Sequence, residues 1–279
     1  MRERLAKPVF IISMPRSGST LLYNILGSAR EPYTIRGESH MLLETIPGLH
    51  PQDRGWSSNR LTADDATPQV VAEMTERFRQ QMVDRDGKQP SAQESPILLE
   101  KTPKNILRVP FFAAAYPDAR FIYLHRDPVE TLSSMIEGWR LPPPRFKGYG
   151  AIPGWQGTLP WSFLLVPGWR ELDGLPLAEI VVAQWMRAVT IGLDDLDVLD
   201  PQRWISVDFH EFLAKPGEQV DRICGFLGWN FDRELPDPLP LSGSEVSAPG
   251  AGKWRANAED LARALAARVL HRSPSLPAR

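Results

Sequence analysis

The first clear pattern along the chain is a short, unbroken apolar run, Val9-Phe10-Ile11-Ile12, ending at Ser13. A run of that length with β-branched members and no alternation predicts a strand buried on both faces, as in a parallel sheet. A turn of small residues follows. Leu21, Leu22, Ile25 and Leu26 then recur at helical spacing, with Gly27 as a stop. Similar apolar runs predict strands at Ile97–Glu100, Arg120–His125 and Trp204–Val207, and a short strand ahead of Gly37. Helical periodicity predicts helices over 64–85, 104–115, 128–138, 177–198, 220–227 and 255–270. On the first of these Val70, Val71, Met74, Phe78 and Met82 share a face; on the fourth the core stripe is Ile180, Val181, Trp185, Val189 and Leu193. Pro128 suits a first helical turn. Strands alternating with helices predict an α/β fold: a central, mostly parallel sheet flanked by helices in three layers, with right-handed crossovers.

Residues 141–176 break this rhythm with a density of Pro, Gly and Trp. A long structured insertion in a compact domain is usually a lid or binding loop.

Composition narrows the function classes. The 279 residues suit one domain spanning the chain, with ample length for a buried core. Lys and Arg total 32 against 34 Asp and Glu, a net charge of −2, so no overall basic field exists to hold nucleic acid or an anionic membrane. Any anion must be bound locally. The single cysteine, Cys224, excludes an internal disulfide framework and a Cys-rich zinc site, and it reads as a small core residue. The N-terminal segment lacks the apolar length of a signal peptide, and no segment reaches the length of a membrane span, so the expectation is a cytoplasmic protein.

The candidate chemistry begins at Pro15-Arg16-Ser17-Gly18-Ser19-Thr20. A tight turn feeding a helix N-terminus aims backbone N–H groups at one point, and the helix dipole adds positive character. Gly18 lets a bulky tetrahedral anion approach, the three hydroxyls donate, and Arg16 carries a fixed charge. The turn is not the Walker pattern, because the first glycine is missing and Arg16 precedes the glycine where Walker has a lysine after it. A second anion site is predicted at the third apolar strand: Arg126 follows its end, and Ser134 lies two helical turns further on. Each motif alone also fits a plain structural role, as a capped helix or an Arg–Asp pair closing a strand.

Together these segments resemble the sulfotransferases that use 3′-phosphoadenosine 5′-phosphosulfate (PAPS). Pro15 through Leu21 is similar to the family's 5′-phosphosulfate loop, and Arg126 with Ser134 to its 3′-phosphate motif at the usual spacing. The segment from Asp208 to Pro216 is similar to a further family segment, with Phe209 where a tyrosine lies beside the adenine. Gly252-Lys253-Trp254 resembles the late loop that closes on the cofactor. The resemblance implies a P-loop-like fold and PAPS as donor, with PAP as product and no metal. It implies cofactor contacts from Arg16, Ser17, Gly18, Ser19, Thr20, Leu21, Arg126, Ser134, Phe209, Lys253 and Trp254. Phe209 is equally compatible with a core aromatic. Ser242, Ser244 and Ser247 are weaker candidates, as is Arg255.

An acceptor hydroxyl needs a base. Glu38, in Arg36-Gly37-Glu38-Ser39-His40, resembles the catalytic glutamate segment of protein-tyrosine sulfotransferases, and His40 is the second candidate. Cytosolic sulfotransferases carry Lys-Thr-His where this chain has Lys101-Thr102-Pro103, so that histidine mechanism does not carry over. Lys101 remains as an acid or electrostatic partner for the leaving oxygen. His125 reads as packing. On the acceptor side, Trp139, Phe146, Tyr149, Trp155, Trp161, Phe163 and Trp169 crowd the insertion at 139–176. They suggest either a partly hydrophobic small-molecule hydroxyl acceptor or tryptophans gluing the loop to the domain or to a second subunit in a homodimer. A protein-tyrosine or glycan acceptor stays open. So do a P-loop kinase or NTPase and a nucleotide-binding module without catalysis.

Overall fold

A computed structural model describes residues 5–143, 145–146, 149–240 and 252–271 of the chain. Five strands form one sheet in the order β2-β3-β1-β4-β5, every pairing parallel. They are β1 (Val9–Ser13), β2 (Pro32–Thr34), β3 (Ile97–Lys101), β4 (Arg120–His125) and β5 (Trp204–Asp208). Strand alternation sends side chains to two separate cores. Phe10, Ile12, Leu98, Phe121 and Tyr123 face one, while Val9, Ile11, Leu99, Ile122 and Leu124 face the other. A sheet buried on both faces explains why its strands read as continuous apolar runs.

The helices are α1 (Ser19–Leu26), α2 (His40–Glu44), α3 (Pro68–Gln81), α4 (Val109–Ala115), α5 (Pro128–Arg140), α6 (Leu177–Asp197), α7 (Phe209–Ala214), α8 (Pro216–Leu227) and α9 (Ala258–His271). Residues of α1, α7 and α8 build the Val9/Ile11 core, and residues of α3, α4, α5, α6 and α9 the other. Cys224 is buried on α8, and burial pushes its thiol up to about 11.

Several expected boundaries shift, each for a local reason. The helix expected over 64–85 spans only α3. Thr67 caps it by accepting from the amide of Val70, with Pro68 at the first turn. Its end is set by Val83, which pairs with Thr34. The segment 104–115 is broken at Arg108 into a 3-10 turn, Pro103–Leu107, and α4, which has Pro110 in its first turn. On α6 the buried side runs through Ile180, Val181, Gln184, Ala188, Gly192 and Leu196, while Trp185, Val189 and Leu193 are half-buried. A 3-10 turn, Lys253–Asn257, precedes α9. Among the described residues no helix is long and apolar enough to cross a membrane.

Candidate active site

In a parallel sheet, ligands bind beyond the carboxyl ends of the strands, where the chain switches direction. Here β1, β3 and β4 are neighbours, and each releases candidate residues at that edge. After β1 the chain turns through Arg16 (φ 71) and Gly18 (φ 89), both left-handed. Such a conformation costs a non-glycine residue about 1–3 kcal/mol, and Arg16 is held in it. Gly18 is also the N-cap of α1, whose first turn carries no acidic residue and no side-chain cap. The helix start is thus suited to an anion. A Cβ on Gly18 would run into the ring of Phe209, and its φ is left-handed, so this position requires glycine.

Arg126 meets this turn directly. Its Nη1 donates to the carbonyl of Arg16 at 3.4 Å, and Arg16 Nε donates to Ser134 Oγ at 3.1 Å. The two anion sites expected from sequence therefore adjoin on one edge of the sheet. Arg126 is also gripped by Glu130: Nε and Nη2 lie 2.9 and 2.7 Å from Oε2. On its other side Glu130 Oε2 meets His210 Nε2 at 3.2 Å. Trp254 lines the same open cleft as Arg126 and Glu130. Lys253 Nζ lies 3.8 Å from Glu137. Asn257 fixes this late turn to α5 by donating to Ser133 Oγ at 2.9 Å.

The other candidates divide. Thr20 is half-buried, whereas Ser17 and Ser19 are buried. Leu21 sends its side chain into the core and its amide to the carbonyl of Gly18 at 3.1 Å. Phe209 is 9% exposed, packed with Phe212, and its ring centroid lies 5.4 Å from the Arg126 guanidinium. His125 pairs with Asp208 at 3.4 Å rather than only packing. Ser242, Ser244 and Ser247 lie outside the described residues.

At the end of β3 the three acid–base candidates meet. Lys101 is only 4% exposed, so it is not a solvated strand-end lysine. Its Nζ donates to Glu38 Oε1 at 2.8 Å and to Thr20 Oγ1 at 3.2 Å, joining the anion loop to the carboxylate. His40 Nδ1 stands 3.7 Å from Glu38 Oε2. Burial, reinforced by Lys104, holds the His40 pKa below its ordinary value despite Glu38.

Two buried polar groups behind this site have no counterpart in the sequence reading. One centres on Glu100, described below. The other is Glu44 on α2: Lys104 Nζ reaches both its oxygens at 2.9 Å, and Arg108 Nη2 reaches Oε1 at 2.6 Å. Tyr149 and Asn59 complete the group. Burial alone would raise the Glu44 carboxyl, yet Arg108 and Lys104 together hold it below the usual carboxylate range. Desolvation pulls Lys104 down to about 8. The available signal was Glu44 one helical turn after His40, and Lys104 and Arg108 one turn apart.

Of the two readings of the aromatic insertion, its tryptophans fit the one in which they glue the loop to the domain. Trp139, Trp161 and Trp169 are fully buried and pack on one another with Trp155. Their indole N–H groups are taken by Gln184, the Leu164 carbonyl and the Trp56 carbonyl. These rings glue the insertion to the core. Phe146 lies against the anion loop, its ring 5.1 Å from the Arg16 guanidinium. Among the described residues no group of three or more His, Cys, Asp or Glu is arranged to hold a metal.

A putative protein-tyrosine sulfotransferase of Caenorhabditis briggsae is 24% identical over 246 residues, covering 88% of this chain and 74% of its own. Protein-tyrosine sulfotransferase A of Caenorhabditis elegans is 21% identical over 88% of this chain, which spans only 56% of that protein. The crystal structure of a sulfotransferase from Alicyclobacillus acidocaldarius superposes with a TM-score of 0.48 at 15% identity, covering 97% of this chain and 98% of that one. The family model described as the sulfotransferase family matches residues 8–156, from β1 through the loop, Glu38, Lys101 and Arg126 into the insertion. The chain belongs to the sulfotransferase family.

Proposed function

We propose that this protein transfers a sulfuryl group from PAPS to a phenolic hydroxyl, with Glu38 as the base. The observation that carries the reading is the position of Lys101, bonded at once to Thr20 of the anion loop and to Glu38. Donor end and proton acceptor are thereby within one side chain of each other, as an in-line displacement requires.

The residues fit the donor. The start of α1 is uncapped by any side chain, and Arg16 and Lys101 bring positive charge to that end of the helix. Arg16 and that helix start would hold the 5′-phosphosulfate end, and Arg126 with Ser134 the 3′-phosphate. Bound PAPS would supply the sulfuryl group and a phosphate leaving group. Within the chain, Glu38 takes the proton of the acceptor hydroxyl as its oxygen becomes nucleophilic. Lys101 and Arg16 bring positive charge to the oxygens on which negative charge develops. Lys101 also orients Glu38 by the bond it donates.

A phenol is favoured over an aliphatic alcohol on two grounds. Its hydroxyl ionises near pH 10, within easier reach of a carboxylate base. Two relatives carry the name protein-tyrosine sulfotransferase. The test supplies the purified chain with ³⁵S-labelled PAPS and, separately, a simple phenol, a tyrosine-containing peptide and an aliphatic alcohol. Label moving to the phenol or the peptide is expected. Transfer to the alcohol alone would move the acceptor class. PAP binding without transfer to any acceptor would leave a nucleotide-binding module.

A further inference from the structure

Glu100 is wholly buried at the end of β3, beside Lys101 in sequence. Successive residues of a strand point to opposite faces. Lys101 reaches Thr20 and Glu38, while Glu100 reaches the far side of the same turn. Its Oε1 accepts from Ser39 Oγ at 2.6 Å and from Thr102 Oγ1 at 2.5 Å, and its Oε2 from Asn105 Nδ2 at 2.6 Å. All three partners are fully buried. Ser39 directly follows Glu38, and its backbone N–H donates to Thr102 Oγ1 at 2.8 Å. The residue after the proposed base is thus pinned twice, through main chain and side chain, to one carboxylate.

A buried carboxylate is costly unless every lone-pair direction meets a donor. A leucine at this strand position would extend the apolar face of Leu98 at no such cost. The carboxyl group does what leucine does not: it accepts from Ser39 and Thr102 together, and although burial pushes its pKa up, the bonds from Ser39 and Thr102 favour the charged form. We propose that Glu100 is a positioning residue for sulfuryl transfer: through Ser39 and Thr102 it fixes the turn at 37–39 and so sets the reach of Glu38 towards Lys101 and the acceptor. The inference rests on the reading of Glu38 as the base. A displacement of about 1 Å at a reacting group is enough to cost on the order of a hundredfold in rate.

The test uses Glu100→Gln and Ser39→Ala in the full chain, because the second keeps the inference decidable should the first fail to fold. PAP affinity, kcat, KM and the NMR titration of the His40 imidazole are measured, with His40→Gln assigning the resonance. His40 faces Glu38, Glu44, Lys104 and Arg108, and of these only Glu38 sits on the turn in question. Both variants are expected to bind PAP within twofold of the parent. Their kcat should fall tenfold or more without a matching rise in KM, and the His40 midpoint should move. An unmoved His40 midpoint overturns the proposal whatever happens to turnover. So does an equal loss of PAP affinity and kcat, which would mark a general folding defect. Should the parent transfer no sulfate, the reading of Glu38 as base falls, while the His40 titration still decides whether Glu100 holds the turn.

Discussion

Lys101 Nζ lies 2.8 Å from Glu38 Oε1, and the lysine is 4% exposed while the glutamate stands at the cleft. The cation is delivered from β3 and the carboxylate from the turn after β2, so the adjacent pair β2 and β3 carries the acid–base half of the site. Glu38→Gln keeps the shape and removes the basic oxygen. A general base contributes about 10²–10⁴-fold, so kcat should fall by at least a hundredfold. PAP affinity, measured by calorimetry, should stay within twofold. Full turnover in this variant would shift the base to His40.

The other half of the site depends on Arg126. Arg126→Ala should weaken PAP binding by about 1.5–3 kcal/mol, roughly 10- to 150-fold in Kd. Glu130 already occupies two of the arginine's N–H groups. Glu130→Gln should therefore alter PAP affinity as well, and its sign reports whether Glu130 orients Arg126 or competes with the phosphate. Titration of both variants with PAP is the measurement, and an Arg126→Ala Kd equal to the parent's removes the 3′-phosphate assignment.

Glu44 balances two buried cations. Glu44→Gln leaves Lys104 and Arg108 without their counter-charge and should cost about 3–5 kcal/mol in a denaturant melt. The pH dependence has a definite sign. The carboxyl is held lower in the fold than in the unfolded chain, so its contribution is complete above the unfolded value of about 4.3 and is lost as pH falls through the lower folded value. A parent protein whose acid unfolding limb is as shallow as the variant's would contradict this.

His40 behaves in the opposite sense to a paired imidazole. Burial and Lys104 favour its neutral form in the fold. Its NMR titration midpoint should lie below about 6.5. The unfolded chain then takes up the proton first, so this group costs stability as pH drops through that range. A midpoint above 6.5 would show that Glu38 outweighs both.

Trp161 is enclosed by Trp139, Trp155 and Trp169. Trp161→Ala should cost about 3–5 kcal/mol through the cavity it leaves. In a thermal melt this appears as a large drop in Tm, while residual folded enzyme keeps its PAP affinity.

The sheet and the anion loop were legible because each is local. Val9–Ser13, Arg120–His125 and the helix behind Gly18 announce themselves by apolar runs and small residues in sequence. Lys101, Glu38 and Thr20 each stood out, but their mutual bonds depend on strand order, which periodicity does not encode. Glu100 and Glu44 were hidden for a different reason. A charged residue at the end of a strand or in a short helix reads as solvated, and only donors from distant segments reveal it as buried. The tryptophans left two readings open because an indole suits a pocket wall and a core equally, and burial alone separates the two.

The ring of Phe209 closes on Gly18 from well past residue 156, where the recognised family stretch ends. Neither position is then free to drift alone during evolution. Any side chain gained at 18 must bear the left-handed backbone and also demands a smaller neighbour at 209, so a change at 18 should come with one at 209 among descendants of this gene. Grafting the N-terminal portion onto another scaffold would carry the loop across but leave its roof behind.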